Sequence, residues 1–224
     1  MAFRVVIPIF PNVTQLDFTG PAQMFAKVPD LELCIAAKDA APVPTDSGFS
    51  VNAPYTFADC PAADLVCVPG GGGVIEAIQD PYFLSFVERQ CAQARYVTSV
   101  CTGMFALGAI GLVKGRKATT HWGYTDVIAD CGGIYTEGRV VVDGNLITAG
   151  GVTSGVDFSL TVIAQVFGEQ IARLIQLSMQ YNPQPPFESG HPSVASETTV
   201  AQANAIYAQR AQAMRAALKG AKRS

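Results

Sequence analysis

Short runs of β-branched and aliphatic residues recur at 3–9, 31–37, 65–68, 96–100 and 146–149, each closed by turn-forming residues. Runs this short, without a polar face, have the pattern of buried strands. Apolar positions at helical spacing occupy intervals between or after them, at 21–28, 81–93, 102–110, 123–130 and 154–167. Strand alternating with helix predicts a mostly parallel sheet covered on both faces. The expected fold class is therefore α/β, a flavodoxin-like, doubly wound sheet. Two polar stretches punctuated by Pro and Gly, 42–55 and 135–145, read as β-hairpin insertions, the second turning at Asp143-Gly144.

Beyond the core (about 3–180) the pattern changes. The segment 181–195 holds Pro183, Pro185, Pro186 and Pro192, which exclude a helix and predict an extended arm across the surface. The Ala-rich tail, 196–219, spaces Val200, Ile206, Ala213 and Leu218 along one helix, with Ser196 and Glu197 at its start. The whole, 1–224, reads as a single domain with a C-terminal helical extension.

At 224 residues and 49% hydrophobic content the chain can bury one sizeable core. A net charge of −3 offers no field for a phosphate backbone, so no nucleic-acid partner is expected. The longest apolar runs, 106–113 and 140–142, fall far short of a membrane span. Six cysteines without a CxxC pair and only two histidines form neither a disulfide framework nor a zinc site. The start of the chain lacks the apolar stretch and cleavage site of a secretory signal, which predicts a cytoplasmic protein with reduced thiols.

One cysteine has unusual flanks. Cys101 follows the apolar run 96–100 directly and precedes Thr102-Gly103 and a helical pattern, the strand-to-helix arrangement of a nucleophile elbow. Donors at a helix start favour a thiolate, so an exposed, activated thiol is expected there. The other reading, one more buried cysteine, fits Cys34, Cys67, Cys91 and Cys131.

In an open parallel sheet the loops after successive strands converge on one crevice. Here they carry Asp17, the run Pro69-Gly70-Gly71-Gly72-Gly73, Cys101-Thr102 and Gly150-Gly151-Val152-Thr153. Asp17 lies among Leu16, Phe18 and Pro21, where it is either a helix N-cap or a carboxyl with raised pKa. Beside Cys101 it would share one proton with the thiol, and Thr102 either orients the carboxyl or is simply the first residue of a helix. Gly70, Gly71, Gly150 and Gly151 could bring backbone N–H groups to a developing charge, or simply make tight turns. The glycine run lacks the Lys-Ser/Thr of a phosphate-binding loop. Phe18, Trp122 and Val152 are candidates for an apolar pocket wall. His121 either borders the crevice or is structural, and His191, in the arm, reads as a surface residue.

Val-Pro-Gly-Gly, Ser-Val-Cys-Thr-Gly and Ala-Thr-Thr-His-Trp, in that order after an acidic residue behind the first strand, resemble the ThiJ/PfpI superfamily over about 3–180. Gln-Leu-Asp-Phe-Thr-Gly-Pro, Cys101-Thr102 and Thr-Ala-Gly-Gly-Val-Thr-Ser-Gly-Val-Asp are similar to its isocyanide hydratase branch. The resemblance implies a small-molecule substrate and a homodimer. It also implies an active site of Asp17, Cys101 and Thr102, in which the thiol forms a thioimidate and Asp17 is the general acid and base, with no cofactor or metal. Family proteases carry a histidine directly after the cysteine; Thr102 stands there in this chain. The ligand-sensing domains of AraC-type regulators share Cys-Thr-Gly and Thr-Thr-His-Trp but continue into a DNA-binding region, for which the single tail helix leaves no room. A glyoxalase-like thiol enzyme and a redox- or ligand-sensing domain are the alternative functions.

Overall fold

The computed structural model describes residues 2–221. Strands β1 (Phe3–Pro8), β2 (Leu31–Ala37), β5 (Tyr55–Thr56), β6 (Leu65–Val68), β7 (Tyr96–Val100), β10 (Val140–Asp143) and β11 (Leu146–Ala149) form one sheet in the order β10-β11-β7-β6-β1-β2-β5. All neighbours are parallel except β10 and β11. Every residue of β6 and β11 is buried, as a sheet covered on both faces requires. Strands β3 (Val43–Pro44) and β4 (Ser50–Val51) make a small hairpin, and β8 (Lys117–Ala118) pairs with β9 (Ile134–Tyr135).

The helices are α1 (Gln15–Phe25), α2 (Val74–Ala77), α3 (Pro81–Gln93), α4 (Met104–Ala109), α5 (Ser154–Phe167), α6 (Glu169–Ser178) and α7 (Glu197–Ala221). Tight 3-10 turns span Cys101–Gly103 and Trp122–Cys131. Helix α1 packs on α5, with Phe25 and Phe158 meeting edge to face at 6.3 Å. The long α7 lies on the 3-10 segment, where Arg215 pairs with both Asp126 and Asp130.

Three expectations need correction. The first helix starts at Gln15, not at Pro21, because Asp17, Phe18, Pro21, Met24 and Phe25 form one buried stripe at helical spacing. Packing of that stripe outweighs the backbone hydrogen bond that Pro21 removes. The turn at Asp143-Gly144 closes β10 onto β11, so this hairpin belongs to the main sheet, while 134–135 pairs elsewhere. In the other proposed insertion, Tyr55–Thr56 leaves the hairpin and extends the main sheet beside β2. Helix α6 had no counterpart among the predicted elements.

Candidate active site

Cys101 stands at the end of β7 with φ of 56°, a left-handed conformation that costs a non-glycine residue on the order of 1–2 kcal/mol. Two hydrogen bonds hold it there. Its N–H donates to the Gly150 carbonyl at 2.9 Å, and its carbonyl accepts from the Thr120 hydroxyl at 2.8 Å. Gly103 allows the turn to sit against β6: a Cβ at that position would lie 2.1 Å from the Val68 carbonyl oxygen. Its φ of −57° is ordinary, so close approach, not a left-handed turn, is what requires glycine.

Asp17 is fully buried and lies inside α1, so the N-cap reading is wrong. The Gly70 N–H donates to its Oδ2 at 3.0 Å, whereas Oδ1 has no hydrogen-bond partner among the described residues. Burial pushes the carboxyl up to about 7, against the opposing pull of the Gly70 N–H and of the adjoining Cys101. The Cys101 thiol is pushed well up by burial and then by the Asp17 charge; the Thr102 N–H and hydroxyl pull it back down. Cys101 is 5% exposed. The expectation of an exposed thiol acidified by a helix start therefore fails for the resting protein, because burial and a neighbouring carboxylate outweigh a few backbone donors. The pair therefore gives up the first of its two protons around pH 7, from the carboxyl, and holds a single one above it. Cys34 at about 11, and Cys60, Cys67 and Cys91 at about 12, are also raised by burial. Geometry, not resting acidity, sets Cys101 apart.

The Thr102 hydroxyl accepts from the Gly71 N–H at 3.0 Å and donates to the Gly71 carbonyl at 3.2 Å. It locks the glycine loop rather than the Asp17 carboxyl. Both proposed donors of that loop are thus engaged, Gly70 N–H by Asp17 and Gly71 N–H by Thr102, so in this structure they hold these two side chains instead of facing a reactant. Gly150 N–H is likewise taken, by the Arg139 carbonyl at 2.9 Å.

A cleft of about 790 Å³ reaches Gly150 and Thr120, which hold the Cys101 backbone, although Cys101, Asp17 and Thr102 do not line it. Gly150, Gly151, Val152, His121 and Trp122 line it as expected, together with Thr120, which binds the Cys101 carbonyl. Phe18 does not. It follows Asp17 on the buried stripe of α1 and is part of the core. His121 answers to both of its readings: it borders the cleft, and its Nδ1 accepts from the Gly123 N–H at 3.1 Å. Burial holds it down at about 4, so it is neutral at physiological pH. Tyr207 of α7 packs on its ring with centroids 4.7 Å apart.

The arm supplies residues that sequence reasoning missed. Pro185, Phe187 and Val194 line the cleft, and so does His191, although it is exposed. At the base of the arm, Tyr181 donates to Asp157, which Arg139 also binds. Nothing in a proline-rich stretch announces which surface it crosses; a Thr-Thr-His-Trp motif whose first two residues are hydroxyls was the available signal for Thr120.

An open α/β sheet with a strained cysteine at a strand end, beside a buried carboxyl, defines a cysteine-elbow α/β protein. The chain belongs to the DJ-1/PfpI family, whose model matches residues 3–165. It is 47% identical to the isonitrile hydratase of Pseudomonas putida, over 91% of this chain and 89% of that protein. A ThiJ/PfpI family protein from Pseudomonas syringae, known as a crystal structure, superposes with a TM-score of 0.94 at 36% identity, over 97% of this chain and 91% of that one. The HTH-type transcriptional regulator CdhR of Pseudomonas aeruginosa is 29% identical over 66% of this chain but only 44% of the regulator.

Proposed function

We propose that this chain is an isocyanide hydratase, converting R–N≡C and water to an N-substituted formamide. The observation that carries the reading is Cys101, held in a left-handed conformation next to a buried Asp17 whose Oδ1 is unpartnered. Similarity along nearly the full length to a protein named isonitrile hydratase supports it. With one proton shared by the pair, its transfer from sulfur to carboxyl makes a thiolate beside a proton donor. The thiolate attacks the terminal isocyanide carbon, and Asp17 protonates that carbon, giving a thioimidate. Ionised Asp17 then takes a proton from water as its oxygen adds to the same carbon. Asp17 passes that proton to the nitrogen and takes the hydroxyl proton as the C–S bond breaks, so the N-substituted formamide leaves and the thiolate and protonated Asp17 return. Thr102 holds the glycine loop that positions Asp17, and its N–H supports the thiolate. No step calls for a metal or cofactor.

In the same reading the chain acts as one unit, a homodimer in the cytoplasm. Leu174 and Leu177, 64% and 79% exposed on α6, support an apolar subunit contact. The test is formamide production from alkyl and aryl isocyanides by wild type, Cys101→Ala and Asp17→Asn. Hydration lost in both variants is expected. No hydration by folded wild type would reject the reading in favour of glyoxalase-like or sensory roles.

A further inference from the structure

We propose that the cleft under the arm is a binding site for an uncharged small molecule with an amide group and a flat apolar substituent, anchored by Thr119 and His121. The proposal does not depend on the hydratase reading. Thr119 lines the cleft and is only 2% exposed. Its N–H donates to the Thr148 hydroxyl at 2.8 Å, but its own hydroxyl has no hydrogen-bond partner among the described residues. That oxygen is not sealed in, unlike Asp17 Oδ1, Ser99 Oγ and Ser154 Oγ, the side-chain atoms buried without a partner. A hydroxyl so enclosed, whose remaining access is to the cleft, is satisfied by what the cleft holds.

His121 supplies a donor of fixed identity. Its Nδ1 accepts from the Gly123 N–H at 3.1 Å, so the proton of the neutral ring is on Nε2. Burial, which holds the ring down at about 4, keeps it in that neutral form. Nε2 has no hydrogen-bond partner among the described residues. Residue 151 keeps that edge of the ring clear: a Cβ on Gly151, which also lines the cleft, would lie 3.1 Å from His121 Cδ2 and 3.7 Å from Nε2. A donor and a hydroxyl thus reach the same cleft from residues two apart.

The ligand class follows from the groups around these two. Nε2–H can only donate, so it calls for a carbonyl or similar acceptor, while the Thr119 hydroxyl can accept from an adjoining N–H. An amide offers both. Glu137 and Glu188 line the cleft without an ion pair among the described residues, whereas Arg139 is paired with Asp157 at 2.5 Å. The local field therefore disfavours an anion. Trp122, Tyr135 and Phe187 supply flat apolar walls, the last two 46% and 78% exposed. Exposed aromatic surface around a cleft of about 790 Å³ suits a small molecule. An N-substituted formamide is one member of this class.

Trp122 is the single tryptophan of the chain, so its fluorescence reads occupancy of the cleft. N-phenylformamide is the probe and benzoate its charged counterpart, titrated into wild type, Thr119→Val, His121→Asn and Cys101→Ala. Asparagine keeps an acceptor for the Gly123 N–H but is too short to present a donor where Nε2 stands. The expected result is a saturable change with N-phenylformamide in wild type and Cys101→Ala, affinity about tenfold lower in Thr119→Val and His121→Asn, and weaker binding of benzoate. Thermal unfolding of each variant is followed alongside, and Thr119→Val, which replaces one hydroxyl by a methyl group, decides the matter if His121→Asn does not fold. No saturation in wild type, or affinity unchanged in a folded Thr119 or His121 variant, would overturn the proposal. So would benzoate bound as tightly as N-phenylformamide, or binding lost in Cys101→Ala. Formamide production is not the readout, so the hydratase reading stands or falls separately.

Discussion

The Gly70 N–H reaches Asp17 Oδ2 at 3.0 Å across the gap between the glycine loop and α1. That contact exists because residue 70 has no side chain: a Cβ would lie 2.6 Å from the Thr102 nitrogen, 2.7 Å from its hydroxyl and 2.8 Å from Asp17 Oδ2. One absent methyl group thus lets the glycine loop, Asp17 and Thr102 converge.

Gly70→Ala is expected to destabilise the protein by about 1–3 kcal/mol through overpacking and to cut hydration at least a hundredfold as Asp17 and Thr102 are forced apart. Urea unfolding and formamide assays check both. Near-wild-type activity would mean that the loop relaxes freely.

Position 101 separates conformation from chemistry. Cys101→Ala and Cys101→Gly should both be inactive, but the glycine variant should be more stable than the alanine variant by about 1 kcal/mol, because only glycine adopts φ of 56° without strain. Equal stabilities in denaturant titrations would contradict strain at the elbow.

Asp17 couples stability and activity to pH with opposite signs. Its proton is held up to about pH 7 in the folded protein, against an ordinary value of 3.8. Between those values the folded state binds more protons than the unfolded one, so stability falls as pH rises, by on the order of 4 kcal/mol, and levels off above about pH 7. The proposed mechanism runs from the pair with a single proton, so kcat/KM should rise with pH through about 7. Asp17→Asn should remove the stability slope contributed by this group and make the variant more stable than wild type at pH 8, with little difference at pH 4. Parallel slopes in denaturation at several pH values would refute the assignment.

The Thr102 hydroxyl contributes as both donor and acceptor to Gly71. Thr102→Val should cost about 1–2 kcal/mol and lower kcat some tenfold, whereas Thr102→Ser should retain most of both. Rescue by serine, measured side by side, distinguishes the hydroxyl from the bulk of the side chain.

The sequence by itself determined the strands of the core sheet and the elbow. Apolar runs too short for helices have one stable use, and a cysteine wedged between such a run and Thr-Gly stands at a strand end whatever surrounds it. It also singled out Asp17, since a carboxylate among Leu16, Phe18 and Pro21 is out of place in water. The tertiary structure decided what depends on distance. The α1 start moved to Gln15 because α5 offers that stripe a surface, and the resting thiol lost its predicted acidity because burial is a property of the packed fold. The glycine loop binds Asp17 and Thr102 instead of facing a reactant because β6 and β7 bring residues 70 and 102 together. The arm at 181–195 became a cleft wall, and Ser154 a buried hydroxyl in that wall, through contacts with residues distant in the chain. Local patterning fixes what a segment can form; burial, proton affinity and the partner of each polar group are set by what the fold lays against it.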